Sequence, residues 1–202
     1  MLSRALVGAA LALGLVISAV AAEVEESPRA LFEAGKYQQV VDGVMAQGEG
    51  AQPAELYLVG HSLSRLDRTD EARDAFRRLD KGDEADPWTF VSRSAVAVLD
   101  GNQDGALDHA RRAVEAGPES FHAQYQLGLV LSLKDQFAEA ASALEKATQI
   151  DGNDAYAHYY AGLAYSKVRR TDKMVVHLRA FATLAPHAPE RPQVQTILKT
   201  IR

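Results

Sequence analysis

The stretch LGLVLSLKDQFAEAASALEKA, residues 127–147, contains the pattern that decides the fold. It begins with an apolar segment that includes a Leu-Gly pair, and a polar break follows at residues 134–136. After the break, apolar residues recur three and four positions apart, at Phe137, Ala140, Leu144 and Ala147. Residues at this spacing lie on one face of an α-helix. The stretch therefore predicts two amphipathic helices joined by a short polar turn.

The same pattern recurs every 34 residues, in four copies without an insertion. One column of small residues comprises Gly60, Ser94, Gly128 and Gly162. Three further columns keep the same phase: Ala72, Ala106, Ala140 and Met174; Phe76, Ala110, Leu144 and Leu178; Leu79, Ala113, Ala147 and Phe181. A small residue in the first helix of a unit lets the second helix approach closely. Because one helix pair cannot bury both of its apolar faces, the units are expected to stack into a solenoid.

The spacing and residue types of these columns resemble tetratricopeptide repeats (TPR). The resemblance places four units at residues 53–86, 87–120, 121–154 and 155–188. It implies an all-α fold, a right-handed α-solenoid of stacked helix-turn-helix units.

Both ends of the array are predicted to be closed by the chain itself. Residues 23–52 are interpreted as an N-terminal partial repeat, because apolar residues surround a turn at Gly35 and indicate one more helix pair. At the other end, apolar residues at helical spacing predict a C-terminal capping helix within residues 189–202.

Residues 1–22 are typical of a secretory signal peptide. A single positive charge at Arg4 precedes an apolar run over residues 5–22, and small residues offer a cleavage site before Ala22 or Glu23. This layout predicts a chain exported to the periplasm of a bacterium, without an integral membrane span after cleavage. The alternative is an uncleaved anchor that holds the chain at the inner membrane, facing the periplasm.

The composition narrows the function further. The net charge of −5 gives no basic excess for nucleic acid, and the absence of cysteine removes disulfides, thiolate metal sites and cysteine nucleophiles. None of the six histidines pairs with another at three- or four-residue spacing, and common catalytic motifs are missing. We therefore expect no catalytic residues, no metal and no cofactor.

In tetratricopeptide arrays the first helix of each unit lines the concave surface. Carried onto this chain, the resemblance implies a partner-binding groove with aromatic, histidine and basic side chains at Tyr57, His61, Arg65, Trp88, His122, Tyr125, Tyr156, Tyr159 and Lys167, with Tyr160 at its margin. Its other positions are small or aliphatic: Ala54, Ser64, Val91, Ala95, Val98, Leu99, Leu129, Ser132, Leu133, Leu163 and Ser166. Tyr165 is predicted to lie in the core.

Tyrosine and tryptophan are enriched at protein-recognition surfaces because they combine large contact area with a polar tip. The sequence thus predicts a non-catalytic interaction module, an adaptor in envelope-complex assembly that binds a protein segment. One alternative is a membrane-tethered subunit of a larger envelope machine. The other is an enzyme or small-molecule binder that uses the groove as its site.

Overall fold

A computed structural model describes residues 26–201 of the chain. Within that range the fold is entirely helical, which confirms the all-α prediction. The predicted signal peptide at residues 1–22 lies outside the described residues. The helices, in chain order, are α1 (Pro28–Glu33), α2 (Tyr37–Met45), α3 (Pro53–Arg65), α4 (Thr69–Arg77), α5 (Pro87–Leu99), α6 (Gln103–Ala116), α7 (Phe121–Leu133), α8 (Phe137–Ile150), α9 (Ala155–Lys167), α10 (Thr171–Leu184) and α11 (Arg191–Thr200).

Each predicted unit contains one helix pair: α3–α4, α5–α6, α7–α8 and α9–α10. Neighbouring helices pack against one another along the whole array, as in a stacked solenoid. The helix pair α1–α2 precedes the array, and α11 follows it. The unit boundaries at individual residues remain a prediction.

The turn inside each pair is built in the same way throughout the array. One residue has a positive φ, between 57° and 74°, at Gly35, Asp67, Gly101, Asp135 and Arg169. The next amide donates a hydrogen bond back across the helix end, as from Arg68 N to Leu63 O at 2.9 Å. This is the helix-ending arrangement in which a left-handed residue lets the chain reverse. The polar breaks in the sequence therefore mark the turns.

The column of small residues lies where the two helices of a unit touch. A Cβ added to Gly128 would lie 2.4 Å from Leu144 Cγ, and one added to Gly60 would meet the ring of Phe76 at a similar distance. In the second unit Ser94 stands at this position, and its Oγ donates a hydrogen bond to Ala106 O at 2.9 Å. The three glycines of this column thus accommodate the large side chains of Phe76, Leu144 and Leu178, whereas the second unit combines Ser94 with the small Ala110.

The first helix pair reaches the other end of the array. The ring of Phe32 lies 5.2 Å from that of Tyr156, and Arg29 pairs with Asp151 at 2.8 Å. A Cβ on Gly35 would lie 2.7 Å from Pro189 Cγ. Helix α1 therefore bridges the first and last units and lies over part of the concave surface.

Two further expectations concern the core and the membrane. Tyr165 is 6% exposed, which confirms its prediction as a core residue. None of the helices between residues 26 and 201 has the length and apolar character that a membrane crossing requires.

Candidate functional site

The concave surface of the array divides into two halves of different character. One half contains aromatic residues from the first turns of α3, α5, α7 and α9, with Trp88 of α5 packed against His122, and α1 lies against this half. The other half is lined mainly by aliphatic residues from the last turns of the same four helices. Only the aliphatic half forms an open pocket free of α1.

The aliphatic pocket has a volume of about 420 Å³. Every unit contributes to it, since its walls include His61 from α3, Val98 and Leu99 from α5, Leu129 and Leu133 from α7, and Leu163 from α9. Leu133 is 50% exposed, and between residues 26 and 201 only two other large apolar side chains, Met45 and Val176, are exposed. The pocket is therefore a ready surface for apolar groups of another molecule.

The charges beside the pocket differ from the sequence prediction in one respect. Lys167 lines the pocket and its Nζ lies 5.5 Å from the centre of the Phe137 ring, with no carboxylate partner among the described residues. Arg65, predicted as a second groove cation, instead pairs with Glu190 at 3.2 Å and donates a hydrogen bond to the Tyr160 hydroxyl. Lys167 is thus the charged group of this pocket.

Several of the predicted groove tyrosines are buried. Tyr57, Tyr125 and Tyr156 are 2%, 8% and 3% exposed, because α1 and neighbouring rings cover them. The Tyr57 hydroxyl donates a hydrogen bond to Gln126 Oε1 at 2.7 Å, and the Tyr156 hydroxyl donates one to Glu190 at 2.8 Å. The expectation that Tyr156 points into an open groove is therefore corrected. Its ring and its hydroxyl both serve internal contacts.

The remaining predicted residues are partly buried. Trp88 and His122 lie with their ring centres 4.4 Å apart, and Tyr159 and Tyr160 lie 5.2 Å apart beside the last unit. His61 borders both halves of the concave surface, and its Nε2 is buried without a hydrogen-bond partner. Burial lowers the pKa of His61 to about 3, so its ring is neutral at pH 7. The part that these residues play in partner binding stays a prediction.

The structure also brings together residues that the sequence analysis did not connect. His158 Nδ1 and His177 Nδ1 lie 3.1 Å apart, across the two helices of the last unit. Glu33 of α1 and Asp154 line the same cavity, and Glu190 accepts a hydrogen bond from Tyr156 and pairs with Arg65. No helical spacing links these positions, because they lie on different elements. Between residues 26 and 201, no group of three or more potential ligands has the geometry of a metal site.

Comparison with known proteins supports the repeat assignment. A family model described as "Tetratricopeptide repeat" matches residues 121–154, the range of the third predicted unit. The thermophilic TPR protein of Thermus thermophilus superposes with a TM-score of 0.61 at 16% identity, over 86% of this chain and 94% of that one. YrrB, a TPR protein with an unusual peptide-binding site, gives 0.51 at 22% identity, over 86% and 89%. Residues 121–154 are thus a tetratricopeptide repeat within a solenoid of tetratricopeptide fold.

Two further proteins are similar over part of the chain. The first TPR domain of Spaghetti, bound to an HSP90 peptide, superposes with a TM-score of 0.52 at 16% identity, over 59% of this chain and 94% of that one. The mitochondrial ALBINO3-like protein 3 of Arabidopsis thaliana is 32% identical over 109 residues, which is 48% of this chain. The present chain spans only 19% of that relative.

Proposed function

We propose that this chain is a non-catalytic interaction module that binds a segment of another protein in the aliphatic pocket of its concave surface. The observation that carries the proposal is the open pocket of about 420 Å³, to which all four units contribute. Peptide binding by YrrB and by the Spaghetti domain, both of similar fold, supports it.

The pocket suggests what the bound segment looks like. Its aliphatic walls favour leucine-like or valine-like side chains, since burying such a side chain contributes roughly 1.5–3 kcal/mol. Lys167 at the border favours an acidic residue beside the apolar ones. We therefore expect an amphipathic or extended segment with apolar anchors and a neighbouring carboxylate.

A pair of matched substitutions tests this site. Leu133 and Val176 are both large apolar side chains at the surface, 50% and 65% exposed, but only Leu133 lines the pocket. Leu133→Glu should weaken partner binding by about thirtyfold, the effect of losing roughly 2 kcal/mol at an anchor position. Val176→Glu introduces the same charge elsewhere and should leave binding unchanged.

The measurement combines capture and contact mapping. A photo-crosslinking amino acid placed at Leu133 or at Val176 identifies which envelope proteins contact each position. Titration of the purified partner then gives its affinity for each of the two glutamate variants. Crosslinks from Val176 alone, or equal binding by both variants, would place the partner site outside this pocket.

For the cellular location, we propose export to the periplasm, where the module would assist the assembly of an envelope complex. The support is the order of charge, apolar run and small residues in positions 1–22. The mass of the chain recovered from cells should lack 21 or 22 residues. Recovery of the whole chain in membranes would favour the tethered alternative.

A further inference from the structure

A second cavity, of about 210 Å³, lies between α1 and the first turns of α3, α7 and α9. Aromatic rings form much of its wall: Phe32, Tyr57, Phe121, His122, Tyr125 and Tyr156. The interplanar angle is 83° for Tyr57 and His122 and 68° for Phe32 and Tyr156, whereas the rings of Phe121 and Tyr125 are nearly parallel, at 14°. The cavity is thus surrounded by rings of several orientations, drawn from distant parts of the chain.

Carboxylates complete the wall of this aromatic cavity. Glu33 and Asp154 line it, and each accepts a backbone hydrogen bond, from Ala155 N at 3.4 Å and from Ala157 N at 2.8 Å. Glu55 also lines the cavity. The carboxylates come from three separate elements, so they converge only in the folded chain.

The positive charge beside the cavity does not balance these carboxylates. Arg29 lines the cavity, but its guanidinium pairs with Asp151 at 2.8 Å. His122 adds no charge at pH 7, since burial and the nearby Arg29 lower its pKa to about 4. Burial raises the pKa of Glu33 to about 7 and also raises that of Asp154. Arg29 lowers both pKa values but offsets the desolvation only in part, because this one cation also pairs with Asp151.

We propose that the aromatic cavity binds a small quaternary or alkylated ammonium ion, with choline as its simplest representative. The faces of aromatic rings attract such cations, and a bound cation favours the ionised forms of Glu33 and Asp154, whose carboxylates then supply the compensating charge. The volume is below the roughly 300–1,000 Å³ of pockets for drug-sized ligands, so only a small ion fits. The site is separate from the aliphatic pocket and does not depend on the function proposed for that pocket.

The test uses Trp88, the single tryptophan of the chain, as a reporter. Trp88 does not itself line the cavity, but its ring centre lies 4.4 Å from that of His122, which does. Choline titrated into the purified protein should change the tryptophan fluorescence in a saturable way, and calorimetry should give one site per chain. The matched control ligand is 3,3-dimethylbutan-1-ol, which has the shape of choline without its charge. We expect it to bind at least about tenfold more weakly.

Two variants examine the carboxylates, with a third as control. Glu33→Gln and Asp154→Asn should each weaken choline binding by about tenfold or more. Asparagine caps helices as well as aspartate does, so Asp154→Asn keeps the N-cap of α9. Glu119→Gln, which removes a carboxylate that pairs with Lys146 outside the cavity, should leave choline binding unchanged. Circular dichroism of each variant verifies that the helices are retained.

A last comparison separates a free cation from a phospholipid headgroup. Phosphocholine carries the same ammonium group with a phosphate, which the carboxylates repel, and we expect it to bind more weakly than choline. Four results would overturn the proposal. The first three are no saturable signal with choline, equal affinity for choline and the alcohol, and unchanged affinity in both carboxylate variants. Equal affinity for phosphocholine would also overturn it, because the carboxylates would then contribute nothing.

Discussion

At the scale of single residues, Glu33 shows how neighbours set the chemistry of a side chain. It lies on α1 with Arg29, and it faces Asp151, Asp154 and the amide of Ala155 at the start of α9. Burial is the main reason that its pKa rises from 4.5 to about 7, and the two aspartates add to the rise. Arg29 and the Ala155 amide oppose the rise without cancelling it.

This raised pKa makes a prediction about stability and pH. The folded chain binds the Glu33 proton more tightly than the unfolded chain does. The contribution of this proton to the free energy of unfolding is therefore fully present below about pH 4.5 and is lost as pH rises through 7. The stability advantage of Glu33→Gln over the parent should therefore grow by roughly 1–2 kcal/mol between pH 5 and pH 8, a figure discounted because solvent screens this partly exposed group. Urea unfolding at both pH values measures this difference. Glu119→Gln serves as the control, and equal pH slopes for Glu33→Gln and the parent would contradict the prediction.

At the scale of the helix pair, one contact governs how closely two helices approach. Gly128 of α7 faces Leu144 of α8, and the pair Gly162–Leu178 repeats this contact one unit later. A methyl group at either glycine would overlap with the leucine side chain. The two helices would have to separate or the leucine would have to leave its preferred rotamer, and both changes cost free energy.

Gly128→Ala should accordingly destabilise the fold by about 1–3 kcal/mol, as overpacked cores do. The matched control is Gly43→Ala in α2, where an added Cβ would meet nothing within 4 Å. Alanine is the better helix former, so this control should be neutral or stabilising by up to about 1 kcal/mol. Thermal melts compare the two variants, and about 1 kcal/mol corresponds to roughly 2–4 °C in a chain of this size. Melting shifts of the same sign and size would show that helix spacing is not the cause.

At the scale of the whole molecule, α1 makes the array more than a row of nearest neighbours. In an ordinary solenoid each unit contacts only the next one. Here Phe32 packs against Tyr156, and the Glu33 carboxylate accepts a hydrogen bond from an amide 122 positions away. These contacts couple the stability of the two ends.

The coupling predicts a long-range response in hydrogen exchange. Phe32→Ala should speed exchange in the first turn of α9, because that turn loses its cover from α1. Val44→Ala is the control, since Val44 is also fully buried but belongs to α2, which packs on α3. It should speed exchange near α2 and α3 and leave α9 protected. If both variants leave α9 unchanged, α1 does not hold the last unit.

The sequence by itself determined the helix pairs, their phase and the columns that pack between them. Gly60, Gly128 and Gly162 reveal these contacts because each repeats within a 34-residue unit, where helical spacing controls which side chains meet. The resemblance to tetratricopeptide repeats also predicted which positions face the concave surface.

Only the tertiary structure decided which part of the concave surface is open. Tyr156 is covered by Phe32 and Arg65 is paired with Glu190, whereas Leu133 remains exposed in the aliphatic pocket. The contacts of Phe32 with Tyr156 and of Arg65 with Glu190 each join positions more than a hundred residues apart. The distance in space between two such residues depends on the small rotation between successive units, summed over the whole array. Local spacing in the sequence does not predict that sum.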